Sequence, residues 1–194
     1  LPAQRAAAQP ADAGGPAAPI QQLNDALLHA MQQGARLSFV QRYDMLTPVV
    51  ERTFDLQRVL AESVGLTWPK LPDAQKSTLL AAFRRYTVSS YAANFDSFSG
   101  QRLVVSPTVR QLGGGNVIVA TSIVRANGAP TVLNYVMRKG PDGWRAVDVL
   151  ADGSISRVAV QRSDFRQLLA SGGVPALVAG LRNKVADLSG GMLA

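Results

Sequence analysis

Between Arg102 and Val160 the chain carries β-branched, apolar-rich runs with a glycine in every gap between them, and this pattern restricts the fold more than any other. The runs are Arg102–Ser106, Asn116–Arg125, Thr131–Lys139, Trp144–Leu150 and Ile155–Val160. The separators are Gly113-Gly114-Gly115, Asn127-Gly128, Gly140-Pro141-Asp142-Gly143 and Asp152-Gly153. Connections this short leave no room for a crossover helix, so consecutive strands must pair antiparallel as a meander. The glycine triplet lacks the Gly-Lys-Ser/Thr ending of a phosphate cradle, and its place between strands makes it a hairpin turn. Within Thr131–Lys139, Leu133, Tyr135 and Met137 alternate with Val132, Asn134 and Val136. Both sets carry apolar residues, so both faces of the sheet are expected to be at least partly covered. Trp144, Ala146 and Asp148 alternate in the same way with Arg145, Val147 and Val149.

Ahead of the strands the apolar period changes from two to 3.6 residues. Ile20, Leu23, Ala26, Leu27, Ala30 and Met31 form one stripe of a helix from Ile20 to Arg36, weakened at Gly34. A short helix is expected over Ser38–Met45. Thr47 would then cap another, with Pro48 at its first position. Asp55 would cap the helix after it, closed by Gly65. Two prolines near Trp68 mark a loop, in which Trp68 is either a lid over a pocket or an anchor on the core. The longest helical pattern runs from Asp73 to Tyr91. After the strands, Ser163 or Asp164 is expected to cap a helix carrying Phe165, Leu168 and Leu169. Gly172-Gly173 separates it from a last helix over Pro175–Leu188. The fold class is α+β: N-terminal helices, a curved antiparallel sheet of four to five strands, then C-terminal helices. An NTF2-like cone enclosing an apolar cavity fits that order.

Residues 1–19 are rich in Ala, Pro, Gln and Gly and read as a flexible tail, leaving 20–194 as a single domain. The chain starts at Leu1, which fits removal of a signal peptide or trimming, and a periplasmic location is the expectation. There is no cysteine, so disulfide and thiolate chemistry are excluded. His29, the one histidine, lies off the apolar stripe and has no second ligand to join, so neither metal nor cofactor is expected. The net charge of +7 is spread over Arg36, Arg42, Arg52, Arg58, Lys70, Lys76, Arg84, Arg85, Arg102 and Arg110 rather than gathered in a stripe. That spread disfavours nucleic acid. Attraction to anionic lipid headgroups and plain solubility both remain open.

The stretch from Trp144 to Phe165 carries a further pattern: Trp144, Asp148, Asp152-Gly153, Ser156, then Arg162, Asp164 and Phe165 leading to the Gly172-Gly173 break. Upstream, Phe54-Asp55-Leu56, Val64-Gly65, Trp68, Gln75, Phe83 and Tyr91 stand in matching order. This pattern resembles the MlaC-like, or toluene-tolerance, family of periplasmic lipid-binding proteins. Gly153-Ser154-Ile155-Ser156 is one residue longer than the family's common Gly-Val-Ser and looks like its hopanoid-associated branch. The resemblance implies a monomeric carrier that holds a phospholipid or hopanoid in an apolar cavity. It also implies exchange of that lipid with an inner-membrane transporter complex through transient membrane contact. Pattern and resemblance together place Phe54, Leu60, Trp68, Phe83, Tyr86, Tyr91, Leu133, Tyr135, Val136, Val147, Val149, Ile155, Phe165, Leu177 and Leu181 around the cavity.

Two other functions stay in view. An enzyme on the same cone would need a buried carboxylate as general base, and Asp148 and Asp55 are the candidates because apolar residues surround them. Either could instead be structural, Asp148 bonding backbone or Ser156 at the bend and Asp55 capping a helix. A ligand-free interaction module would use the basic surface alone.

Overall fold

The glycine-marked turns close as expected. Gly114 and Gly115 both have positive φ between paired Gly113 and Asn116, and Asp152 and Gly153 do the same, with Ser154 N–H bonded to the Ala151 carbonyl at 3.2 Å. Two successive left-handed residues match the twist of the flanking strands, which is why Asp-Gly and Gly-Gly recur there. The computed structural model describes residues 14–193, so most of the expected tail, residues 1–13, lies outside the described residues.

Five strands pair in sequence order as one antiparallel sheet: β1 (Arg102–Gly113), β2 (Asn116–Val124), β3 (Thr131–Gly140), β4 (Gly143–Ala151) and β5 (Ile155–Ser156). Strand β1 is longer than expected. It passes Pro107, and its register with β2 shifts between Val105 and Val109, where a residue without an N–H interrupts the ladder. Strand β5 is shorter. Ser156 ends it by accepting the Ala159 N–H at 3.0 Å, so the helix starts at Arg157 and not at Ser163 or Asp164.

Helices α1 (Ala18–Gln33), α2 (Phe39–Thr53), α3 (Leu56–Val64) and α4 (Asp73–Asn94) precede the sheet, and α5 (Arg157–Ser189) follows it. The expected break at Thr47-Pro48 is absent. A capping box joining Ser38 and Gln41 starts α2, and Leu46, Val49 and Val50 are all buried, which offsets a proline cost of about 3 kcal/mol. The Thr47 hydroxyl donates to the Tyr43 carbonyl instead of capping. Gly172 and Gly173 do break α5, and its second half folds back so that Gly180 meets Leu168. Trp68 sits in a 3-10 turn over Gly65–Lys70 and packs partly buried on the core.

The main core lies between the helices and one face of the sheet. There Val119, Tyr135, Met137 and Ala146 meet Leu46, Leu60, Phe83 and Phe165. A smaller cluster of Ile118, Val136 and Val147, with Leu150 beside it, occupies the opposite face. Arg42 is not a surface charge. It is buried and spans two elements, with Nε donating to the Ala92 carbonyl at 2.6 Å and a terminal nitrogen to the Leu37 carbonyl at 3.2 Å. It thereby ties the last turn of α4 to the start of α2. Among the described residues no helix is long and apolar enough to cross a membrane.

Candidate functional site

An apolar cavity of about 200 Å³ lies between the sheet and α4, bounded by the start of α5 and by α3. Its floor begins with Phe54. This residue is held extended between α2 and α3, bridged to Ala146, while the neighbouring Asp55 N–H bonds the Ala146 carbonyl at 3.0 Å. The Phe54 ring lies 5.8 Å from Tyr91 and 6.2 Å from Tyr135. Leu56 and Val59 continue that wall along α3, and Leu133, Val149 and Ala151 supply the sheet side.

The long wall is α4, where Phe83, Tyr86, Thr87, Ser90, Tyr91 and Asn94 recur at three- and four-residue steps on one face. Half of these are polar, yet most of their donors are already used. Thr87 and Ser90 hydroxyls donate to the Phe83 and Tyr86 carbonyls at 2.9 Å each, and the Asn94 amide to the Ser90 carbonyl at 2.8 Å. Back-bonding of this kind leaves a wall that asks little of a ligand. The phenols are quiet too. Burial pushes Tyr135 up to about 12, opposed by the Tyr91 hydroxyl. Tyr91 stands well above its ordinary value through burial first, then Tyr135, with the Arg157 guanidinium pulling the other way.

Six of the residues expected around the cavity line it: Phe54, Phe83, Tyr86, Tyr91, Leu133 and Val149. Tyr135 and Phe165 lie directly behind that lining, Tyr135 against Phe54 and Phe165 edge-on to Phe83 at 6.2 Å. Leu60, Leu177 and Leu181 are core residues away from it. Trp68 is outside it, with the Lys76 ammonium 5.9 Å from its ring. Ile155 is exposed on the short edge strand.

Val136 and Val147 belong to the opposite face of the sheet. Val136 does so by plain alternation with Tyr135 and Met137 on β3. On β4 a bulge intervenes, because Met137 pairs with Ala146 but Val136 with Asp148, leaving Val147 as the extra residue. One inserted residue shifts the alternation, so Val147 and Val149 do not share a face as a strict period of two requires. Leu56, Val59, Phe95 and Val158 also line the cavity and were not singled out. Leu56 and Val59 were findable, being one helical step apart directly after Phe54. Val158 was hidden by the misplaced start of α5.

The two carboxylates proposed as general bases have structural work. Asp148 accepts the Val149 and Val158 N–H groups at 2.7 and 3.1 Å and the Ser156 hydroxyl. It borders the cavity, but its oxygens fasten the bulged strand to the start of α5. Asp55 caps α3 by accepting the Arg58 N–H at 3.1 Å. Among the described residues no group of three His, Cys, Asp or Glu could hold a metal ion.

Comparison with known families matches residues 21–183 to the family described as MlaC protein. The chain belongs to the MlaC family. Among solved structures it is similar to the phospholipid-binding protein from Ralstonia solanacearum, determined in complex with a phospholipid. The match has a TM-score of 0.76 at 21% sequence identity and covers 90% of this chain and 98% of that one. At that identity the likeness shows the fold: helices against an open antiparallel sheet. No curated protein matches the chain.

Proposed function

We propose that this MlaC-family protein is a periplasmic lipid carrier that shelters lipid hydrocarbon between α4 and the sheet and passes it to a membrane transport complex. The observation that carries the reading is the α4 wall, where the Phe83, Tyr86 and Tyr91 rings line the cavity while Thr87, Ser90 and Asn94 donate back onto the α4 backbone. A reaction site needs polar groups aimed outward at a substrate; a tail-binding site needs the reverse. Binding without chemistry is supported further by Asp148 and Asp55, whose carboxylates are engaged by backbone donors. The related phospholipid-binding protein from Ralstonia solanacearum supports the same reading.

The cargo is a phospholipid, as in the Ralstonia solanacearum protein, or the hopanoid that the Gly153–Ser156 spacing suggests. Each methylene withdrawn from water contributes ~0.8 kcal/mol. An apolar void of roughly 150 Å³ already holds a benzene-sized ligand. The ~200 Å³ here therefore takes a short length of hydrocarbon as it stands. A whole tail requires the walls to part, and the seam between α4 and the start of α5 is where the cavity reaches exposed residues, Asn94 and Arg157.

Native mass spectrometry of the purified protein, followed by extraction and identification of whatever it carries, tests the proposal. A lipid at one copy per chain is expected. Protein that is empty when made in a lipid-rich host, and that takes up none on incubation with vesicles, sinks it.

A further inference from the structure

Resting on the carrier reading, we infer that Arg157 is the headgroup contact of this cavity and biases the cargo toward lipids that bear a phosphate. Among the described residues Arg157 is the one cationic residue lining the cavity, placed at the first helical position of α5 beside Tyr91. Its side chain is exposed, and among the described residues it makes no hydrogen bond and no ion pair. Asp148 also lines the cavity, but its oxygens accept from the residues on both sides of Arg157, the Ser156 hydroxyl and the Val158 N–H, and from the Val149 N–H. Asp148 is thus engaged by other donors and forms no ion pair with the guanidinium.

The other polar residues of the seam offer no positive charge. The Ser90 hydroxyl and one Asn94 amide N–H donate to their own helix, and Gln161, whose carbonyl accepts from the Ser63 hydroxyl at 3.1 Å, keeps only neutral amide N–H groups. Lys184 covers the Tyr86 ring at 5.5 Å and stands 3.8 Å from Asp164, so its charge is already answered. A lipid whose tail enters between α4 and the sheet leaves its polar end at this seam. The guanidinium fork matches a phosphodiester in two parallel N–H···O bonds, which an uncharged hydroxyl cannot reproduce.

The test uses the full chain and mixed vesicles holding phosphatidylglycerol and diacylglycerol with the same acyl chains. Captured lipid is extracted and the ratio of the two is read by mass spectrometry. In Arg157→Gln the ratio of phosphatidylglycerol to diacylglycerol should fall by roughly threefold to tenfold, the range for a partly screened charge-assisted contact. Total lipid per chain should stay within about twofold of wild type, since the tail contacts are intact. Arg157→Lys should keep part of the preference, and added salt should erode it in wild type but not in Arg157→Gln. An unchanged ratio in Arg157→Gln overturns this inference while leaving the carrier standing. A thermal shift with inorganic phosphate alone, present in wild type and lost in Arg157→Gln, overturns it in favour of a free-phosphate site. Capture of neither lipid by wild type removes the carrier reading and this inference together.

Discussion

The two faces of the sheet use similar residues for different ends. The inner face carries Val119, Tyr135, Met137 and Ala146 under the helices, and toward Leu133, Val149 and Ala151 that packing gives way to a cavity. The outer face has the small cluster of Ile118, Val136 and Val147, flanked by exposed or partly exposed Val104, Val132 and Leu150. Both are apolar, so hydrophobicity does not separate a ligand site from a covered surface. What separates them is depth. The inner face is backed by aromatic rings from the α2–α3 junction, α4 and α5, whereas the outer face is a single layer of β-branched side chains.

The largest difference should appear on truncation. Phe83 is 1% exposed and belongs to both the core and the cavity wall, touching Tyr86 and Phe165. Phe83→Ala should cost about 3–5 kcal/mol of unfolding free energy, against roughly 1 kcal/mol for Ile118→Val on the outer face. Denaturant unfolding of the two variants measures the contrast. Equal losses would mean that the aromatic layer adds no depth, and the comparison would collapse.

A neighbouring pair sharpens the functional half of the comparison. Val132 and Leu133 are consecutive on β3 and face opposite ways, Val132 outward at 36% exposure and Leu133 into the cavity. Neither is fully buried, so an arginine at either place is expected to leave a folded protein, which its unfolding transition checks. A charge in the tail path is a different matter, because an unpaired ion among hydrocarbon must keep its water. Leu133→Arg should lower lipid capture from vesicles about tenfold or more, and Val132→Arg should change it by less than about twofold. Equal effects would move the lipid off the inner face.

The same contrast shows what the sequence could and could not tell. The meander was legible because glycine-bearing turns are local, and Phe83, Tyr86 and Tyr91 were legible because helical spacing aligns them on α4. Asp55 as a helix cap was legible from its place between two apolar stripes. Val147 was not. Its alternation with Val149 holds until one extra residue slips the register against Val136, and a bulge is settled by pairing across strands, not by the strand's own pattern. The start of α5 was missed for a related reason: Ile155–Val160 is apolar enough for a strand, and only the Ser156–Asp148 contact decides for the helix. Leu177 and Leu181 carry the same stripe as a lining helix would, yet pack as core, since period alone gives the face and not what lies opposite.

The smallest effect expected is a slope in pH, and it belongs to the inner face alone. Burial holds the Tyr135 phenol at about 12 against an ordinary value of 10.0. Above pH 10 the unfolded chain gives up this proton while the folded chain keeps it, so the folded state binds more protons and stability falls as pH rises. The contribution is complete below pH 10 and disappears as pH climbs through about 12. Tyr135→Phe should therefore flatten the fall in unfolding free energy across that window. The fall will not vanish, because Tyr91 and Tyr43 are also raised, each chiefly by burial. Chemical denaturation at stepped alkaline pH compares the two proteins. A variant as steep as wild type would mean that water reaches the Tyr135 hydroxyl, and that the space behind the cavity wall is wet rather than the dry backing a hydrocarbon site needs.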